Sequence, residues 1–353
     1  MKSIKEYLEQ AVQNNAADLF LIAGKAVSMK RDGEIQAVND ERLMPEDSEV
    51  LVREVYDLAH RDLPEKHSAW DDDFSLSVPG LARFRVNVFQ QRGSLAAVIR
   101  VVKFGIPDWR TLGLTDEIMK IADQTRGMVL VTGPAGSGKS TTLACVVDAI
   151  NQTRNAHIIT IEDPIEYVHR NQRSVVSQRE LNMDTESYVT ALRASLRQAP
   201  DVILLGEMRD LDTIQTAMTA AETGHLVIST LHTVGAVNTI DRIIDVFPPQ
   251  QQQQIRVQLS QVLKTVVSQQ LLPTVGGGLV PAFEIMHLNT AIRSMVRDSR
   301  IHQIDSAIQT GAAEGMIGMD ESILRLAKAG QITAETAIRH AMNPDQLQKK
   351  LPR

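Results

Sequence analysis

Apolar residues at Ile4, Tyr7, Leu8, Ala11 and Val12 fall on one helical face, behind the capping-box pattern Ser3-x-x-Glu6, and predict a first helix. Short strand-like runs follow, beginning with Asp18-Leu19-Phe20-Leu21-Ile22, and Arg31-Asp32-Gly33-Glu34 reads as a hairpin turn. Arg83-Phe84-Arg85-Val86-Asn87-Val88 alternates polar and apolar positions, the pattern of a half-buried strand. Gln91-Arg92-Gly93 forms a turn and 95–102 another strand, so residues 1–102 form a small α+β domain. A linker is expected over 103–113, where Phe104-Gly105-Ile106-Pro107-Asp108-Trp109 has turn residues and no periodicity.

Beyond the linker the pattern changes. Continuous apolar runs at 128–132, 157–161, 202–205 and 226–230 alternate with helical stretches, which predicts a parallel sheet covered by helices over 114–290. Residues 291–353 read as several short helices, and the glutamines at 250–254 as the surface N-terminus of another. No internal repeat is visible.

At 353 residues the chain is long enough for more than one core. The net charge of −6 argues against a nucleic-acid partner. The single cysteine, Cys145, excludes an internal disulfide and a cysteine-based zinc site, and it reads as core packing. The first residues lack a signal-peptide pattern, and no apolar run reaches the roughly 20 residues that span a bilayer. The expectation is a cytoplasmic protein with no direct membrane insertion.

Gly133-Pro134-Ala135-Gly136-Ser137-Gly138-Lys139-Ser140 matches the phosphate-loop pattern G-x-x-x-x-G-K-[ST], between an apolar strand and a helical run. Glycines there let backbone N–H groups wrap a phosphate, and the helix N-terminus favours negative charge. Lys139 is expected to reach the β- and γ-phosphates of ATP, Ser140 to hold Mg2+, and Thr141 to lie by the α-phosphate. A loop that binds nucleotide without cleaving it has the same pattern.

Acidic and histidine boxes follow. The strand at 157–161 leads into Glu162-Asp163-Pro164-Ile165-Glu166, where one carboxylate is placed to orient an attacking water. Leu205-Gly206-Glu207 ends a second strand, with Glu207 placed to act on Mg2+ through water. His225 and His232 flank a third, at opposite ends. Singly, each is weak: a carboxylate after a strand is often a helix cap, and a lone histidine more often a structural hydrogen-bonder than a sensor.

In order, the phosphate loop, T-I-E-D-P-I-E, G-E-M-R-D and S-T-L-H-T resemble the Walker A motif, Asp box, Walker B motif and His box of the secretion ATPase superfamily. Asp18-Leu19-Phe20-Leu21, Arg83-Phe84-Arg85-Val86-Asn87 and Thr239-Ile240-Asp241-Arg242-Ile243-Ile244-Asp245-Val246-Phe247-Pro248 are similar to its PilT branch, so the resemblance covers nearly the whole chain. It implies an α/β fold with a RecA-like P-loop ATPase core, a smaller PAS-like N-terminal α+β domain and C-terminal helices. It implies a homo-hexameric motor that retracts type IV pili in twitching motility, at the inner face of the cytoplasmic membrane. Its implied partners are a PilC-like platform protein and, in some systems, a second retraction ATPase. It further implies Glu166 as the catalytic base, with Glu162 and Asp163 close by, and Glu207 as the Walker B acid.

Ala291-Ile292-Arg293-Ser294-Met295-Val296-Arg297-Asp298 looks like the A-I-R-N-L-I-R-E signature of retraction motors, with mild departures, although periodicity alone gives an ordinary amphipathic helix. The start Ala17-Asp18-Leu19-Phe20-Leu21 departs from the branch's Ser-Asp-Leu-His-Leu. These departures leave a PilU-like accessory motor open, and an assembly ATPase remains a third reading. Arg83 and Arg85 share a strand face, and Arg100 lies on the next strand. The resemblance implies that Arg85 and Arg100 serve the nucleotide of an adjacent subunit, the alternative being a solvated strand face. The linker suggests a hinge through which nucleotide binding closes the N-terminal domain onto the core.

Overall fold

The computed structural model describes residues 2–31, 33–64, 71–102 and 105–351. The chain divides into two compact units, with the division between Gly105 and Ile106.

The first unit contains α1 (Ile4–Gln13), β1 (Asp18–Leu21), β2 (Ala26–Arg31), β3 (Glu34–Arg42), α2 (Pro45–Leu58), β4 (Asp71–Val78), β5 (Ala82–Gln91) and β6 (Ser94–Val102). Ser3 and Glu6 close the capping box of α1 reciprocally. The strands form a six-stranded antiparallel sheet in the order β3-β2-β1-β6-β5-β4. Phe84, Val86 and Val88 of β5 and Ala97 and Ile99 of β6 pack with Tyr7 and Leu8 of α1 and Leu51 and Val55 of α2. Strand alternation therefore sends Arg83 and Arg85 to the other face. The turn between β5 and β6 is Arg92-Gly93, both with positive φ (49° and 79°), as a two-residue hairpin requires. The turn predicted at Arg31-Asp32-Gly33-Glu34 includes Asp32, outside the described residues; Arg31 and Glu34 on either side are register partners.

The second unit runs α3 (Asp116–Met119), β7 (Gly127–Thr132), α4 (Lys139–Thr153), β8 (His157–Glu162), β9 (Val175–Glu180), α5 (Tyr188–Ser195), β10 (Val202–Leu205), α6 (Leu211–Glu222), β11 (Leu226–Leu231), α7 (Ala236–Asp245), α8 (Pro249–Val262), β12 (Leu263–Pro273), β13 (Leu279–His287), α9 (Thr290–Arg297), α10 (Ile304–Thr310), α11 (Met319–Lys328), α12 (Ala334–His340) and α13 (Pro344–Lys350). Its seven-stranded sheet has the order β13-β12-β7-β11-β10-β8-β9, parallel throughout except for the β12–β13 hairpin at one edge.

Both faces of this sheet are covered, which is why its central strands are continuously apolar. Met128, Leu130, Ile203, Leu205 and Val227 pack against α5 to α8. Their neighbours Val129, Val131, Val202, Leu204 and Ile228 pack against α3 and α4, where Ile106, Trp109 and Leu112 also lie. Cys145 of α4 is buried in that second layer. The glutamine run occupies the first turns of α8, with Pro249 at the first helical position. Helices α11 to α13 pack on Leu272 and Ala282 of the β12–β13 hairpin. Among the described residues, no helix is long and apolar enough to cross a membrane.

Candidate functional site

The strands β7, β8, β10 and β11 point the same way, so the segments after their C-terminal ends gather along one edge of the sheet. After β7 come Gly133, Pro134, Ala135, Gly136, Ser137 and Gly138, then Lys139, Ser140 and Thr141 in the first turn of α4. Gly133, Gly136 and Gly138 all have positive φ (143°, 75° and 86°). Such backbone conformations are what a loop needs to wrap N–H groups around an anion. Lys139 Nζ donates to the carbonyls of Gly133 and Pro134, both at 2.9 Å. Burial pulls its pKa down, while the charges of Glu166 and Glu207 pull it back up, so both carboxylates act on this ammonium. Ser137 Oγ is buried without a partner inside the loop. A polar atom sealed there without a bond, beside a ring of glycines, suits a loop that closes around phosphate oxygens.

Strand β12 forms the wall behind the loop. Gln269 Oε1 accepts from Thr142 Oγ1 at 2.7 Å, and its amide lies so near Gly138 that a Cβ there would meet Nε2 at 2.9 Å.

The acids after β8 are not equivalent. Glu162 accepts from Thr160 Oγ1 at 2.6 Å and from Gln178 Nε2 at 3.3 Å. Burial pushes its pKa up to about 7. Asp163 and Glu166 are exposed. Glu166 makes no hydrogen bond among the described residues. Thr160 and Glu162 line a small cavity with Ser140, Tyr167, His169, Gly206 and Thr230.

Glu207 follows β10. Its Oε2 is 2.7 Å from Arg209 Nε and 3.4 Å from His232 Nε2. His225, in contrast, lies at the start of β11, where Nδ1 meets the Ala220 carbonyl at 2.9 Å and the Thr223 hydroxyl at 3.2 Å. The structure thus brings Lys139, Ser140, Glu162, Glu166, Glu207 and His232 to one edge of the sheet and leaves His225 at the other. A strand of this length separates the two histidines by roughly 20 Å.

In the first unit, Arg85 and Arg100 are directly opposite each other on β5 and β6. Arg85 pairs with Asp73 at 3.3 Å and Arg100 with Asp18 at 2.9 Å. Both guanidinium groups remain largely exposed, at 43% and 65% of the side chain.

Several site residues escape a reading of the sequence alone: Gln269 behind the loop, Arg209 on Glu207, and Tyr167, Tyr188 and Gln178 around the Asp box. Tyr188 packs over Gly206, where a Cβ would meet its hydroxyl at 2.8 Å. The one available signal is Ser268-Gln269-Gln270, a polar stretch inside an otherwise apolar run.

A family model described as "Type II/IV secretion system protein" matches residues 1–342. The chain belongs to that family. Among its relatives in the type II/IV secretion system family, the type IV pilus retraction ATPase PilT of Pseudomonas aeruginosa is 44% identical over 343 residues, covering 97% of this chain and 99% of the relative. The type IV pilus ATPase PilU of the same organism is 38% identical over 346 residues, covering 97% of this chain and 90% of the relative. A crystal structure of the pilus retraction motor PilT with bound ADP superposes with a TM-score of 0.90 at 45% identity, covering 99% of this chain and all (100%) of that one. The two-unit chain with its RecA-like core is therefore the fold of a secretion ATPase.

Proposed function

We propose that this chain is a PilT-type motor that hydrolyses ATP to drive type IV pilus retraction. The observation that carries the reading is the glycine-rich loop after β7, with Lys139 held by the Gly133 and Pro134 carbonyls, at the same end of the parallel strands as the segments that carry Glu166 and Glu207. The near end-to-end match to a PilT relative supports it. The lower identity to PilU places an accessory motor second.

In this reading the domains are 1–102, a linker at 103–113, the ATPase domain at 114–290 and the helical region at 291–353. The triphosphate sits in the 133–140 loop, and Lys139 exchanges its two backbone carbonyls for β- and γ-phosphate oxygens. The Ser140 hydroxyl and the Glu207 carboxylate fit Mg2+, which is commonly held by one or two protein oxygens together with phosphates and water. When bound, the ion supplies positive charge to the phosphate oxygens.

Glu166 orients and deprotonates the attacking water, because its carboxylate is exposed and makes no hydrogen bond among the described residues. Glu162 is committed to Thr160 and Gln178, and its raised pKa makes it a poor anion at neutral pH. Asp163 is exposed beside it and is the second candidate. His232 bonds Glu207 and reports on the γ-phosphate from there. His225, at the far end of β11, has no part in its own chain's hydrolysis.

Arg85 and Arg100 supply positive charge to the nucleotide of a neighbouring copy in a homo-hexamer. The ring acts on an inner-membrane platform protein from the cytoplasmic face. The test is ATPase activity of the purified protein with magnesium, wild type against Lys139→Ala and Glu166→Gln, joined to piliation of a strain carrying Lys139→Ala. Loss of hydrolysis with accumulation of surface pili is expected. Loss of pili would reassign the motor to assembly, and full hydrolysis by Lys139→Ala would remove the reading.

A further inference from the structure

The segment between β8 and β9 carries Glu166, and groups outside that segment bond it along its length. Just before Glu166, the Ile165 N–H donates to Glu180 Oε2 at 2.9 Å, from a carboxylate buried on β9. Just after it, the Tyr167 hydroxyl lies 2.8 Å from Thr141 Oγ1 in the first turn of α4. The Tyr167 carbonyl accepts from Gln178 Nε2 at 2.9 Å. The same Gln178 accepts the His169 N–H at 2.8 Å and donates to Glu162 Oε1 at 3.3 Å. Farther on, buried Asn151 of α4 donates to the Arg170 carbonyl at 2.7 Å and accepts the Gln172 N–H at 3.1 Å.

A connecting segment outside any strand ladder has no backbone partners of its own to hold it. Here several of its polar groups are bonded to α4 and β9 instead, while the Glu166 carboxylate between Ile165 and Tyr167 makes no hydrogen bond among the described residues. Helix α4 begins with Lys139 and Ser140, so the acid and the phosphate loop share one rigid frame. Such a frame matters because a displacement of about 1 Å in a reacting geometry costs on the order of a hundredfold in rate.

We propose that Tyr167 and Gln178 are positioning residues that register Glu166 against α4, so that its carboxylate stands where water meets the γ-phosphate. The inference rests on the reading of Glu166 as the base. Neither residue touches the reacting atoms: Tyr167 acts through Thr141, and Gln178 through the backbone that flanks Glu166.

The experiment uses the full-length protein with magnesium and ATP, comparing wild type, Tyr167→Phe, Glu166→Gln and the double variant. Steady-state kinetics, ADP affinity and melting temperature are measured on each. Tyr167→Phe keeps the ring and removes one hydroxyl. It is expected to lower kcat about tenfold, with KM and ADP affinity within about twofold of wild type. In the Glu166→Gln background the same substitution should cause no further loss. Gln178→Ala should repeat the pattern, and if it also lowers the melting temperature, Tyr167→Phe decides. Unchanged kcat for Tyr167→Phe, or an equal loss in both backgrounds, would overturn the inference and leave the base assignment standing. A fully active Glu166→Gln would overturn the base assignment, and the inference with it.

Discussion

Gly133 and Gln269 approach across neighbouring strands so closely that a Cβ on Gly133 would lie 2.2 Å from the Gln269 carbonyl oxygen. That oxygen cannot move easily, because Gln269 belongs to a strand paired with β7 on one side and β13 on the other. Gly133→Ala must therefore displace the start of the phosphate loop, and its φ of 143° adds strain for any residue with a side chain. We expect a loss of about 1–3 kcal/mol in stability and at least about a tenfold loss of ADP affinity, read by denaturant titration and calorimetry. Wild-type values in both would contradict the close packing.

The part-buried acid Glu162 should leave a signature in the pH dependence of stability. With its pKa raised from 4.5 to about 7, the folded protein keeps a proton that the unfolded chain releases within that window. The stability this group contributes is therefore present at low pH and is lost as pH rises through 7. Glu162→Gln does not titrate, so the stability of wild type relative to this variant should fall between pH 5 and pH 8. The change should total a few kcal/mol at most, at about 1.4 kcal/mol per pKa unit. His169, held down to about 4 by burial, acts in the opposite direction on the acid side and is common to both proteins. A wild-type-minus-variant difference that stays constant across this range would exclude a raised pKa for Glu162.

The Arg85 and Arg100 pair separates an assembly-dependent role from a structural one. The Arg85–Asp73 pair is exposed on both sides, so Arg85→Ala should cost no more than about 1 kcal/mol in stability, whereas Arg100→Ala leaves the buried Asp18 carboxylate without its guanidinium and should cost about 1–3 kcal/mol. A charge supplied between copies should instead cost on the order of 10³ in hydrolysis rate. The wild-type rate per subunit should also rise with protein concentration. Full activity at dilutions where the protein is monomeric would exclude the role.

How much could be read beforehand depends on whether an interaction leaves a trace in local periodicity. The central strands β7, β8, β10 and β11 are covered on both faces and read as apolar runs. The phosphate loop reads as a glycine spacing. Alternation along β5 placed Arg83 and Arg85 on one face, but only the register could put Arg100 opposite Arg85. Edge strand β9, Val-Val-Ser-Gln-Arg-Glu, is half exposed and looks like a loop until β8 pairs with it. The hairpin β12–β13 carries Ser268 and Gln269 in its core, which hides its strand character. The contacts of Gln178 and Tyr167 join β9 and α4 to the acidic segment, and such long-range bonds have no periodic trace.

Cys145 offers a check on the packing of α4. Its thiol donates weakly to the Pro107 carbonyl at 3.5 Å, and burial pushes its pKa from 9.0 up to about 11. Near pH 8 the thiolate fraction should be about a hundredfold below that of an ordinary thiol. Alkylation of the native protein should therefore be slower than that of the unfolded chain by at least that factor, followed by mass spectrometry. Comparable rates would show that this layer opens readily.

The strand order also sets a schedule for synthesis. All strands of the first sheet lie within residues 18–102, so that unit can close as soon as it leaves the ribosome. Strand β7 pairs only with β11 and β12, which are translated about a hundred or more residues later. Until then a nascent chain holds the phosphate loop on a strand with no neighbour on either side. Ribosome-bound chains arrested before residue 226 should therefore retain no nucleotide, however completely their first unit has folded.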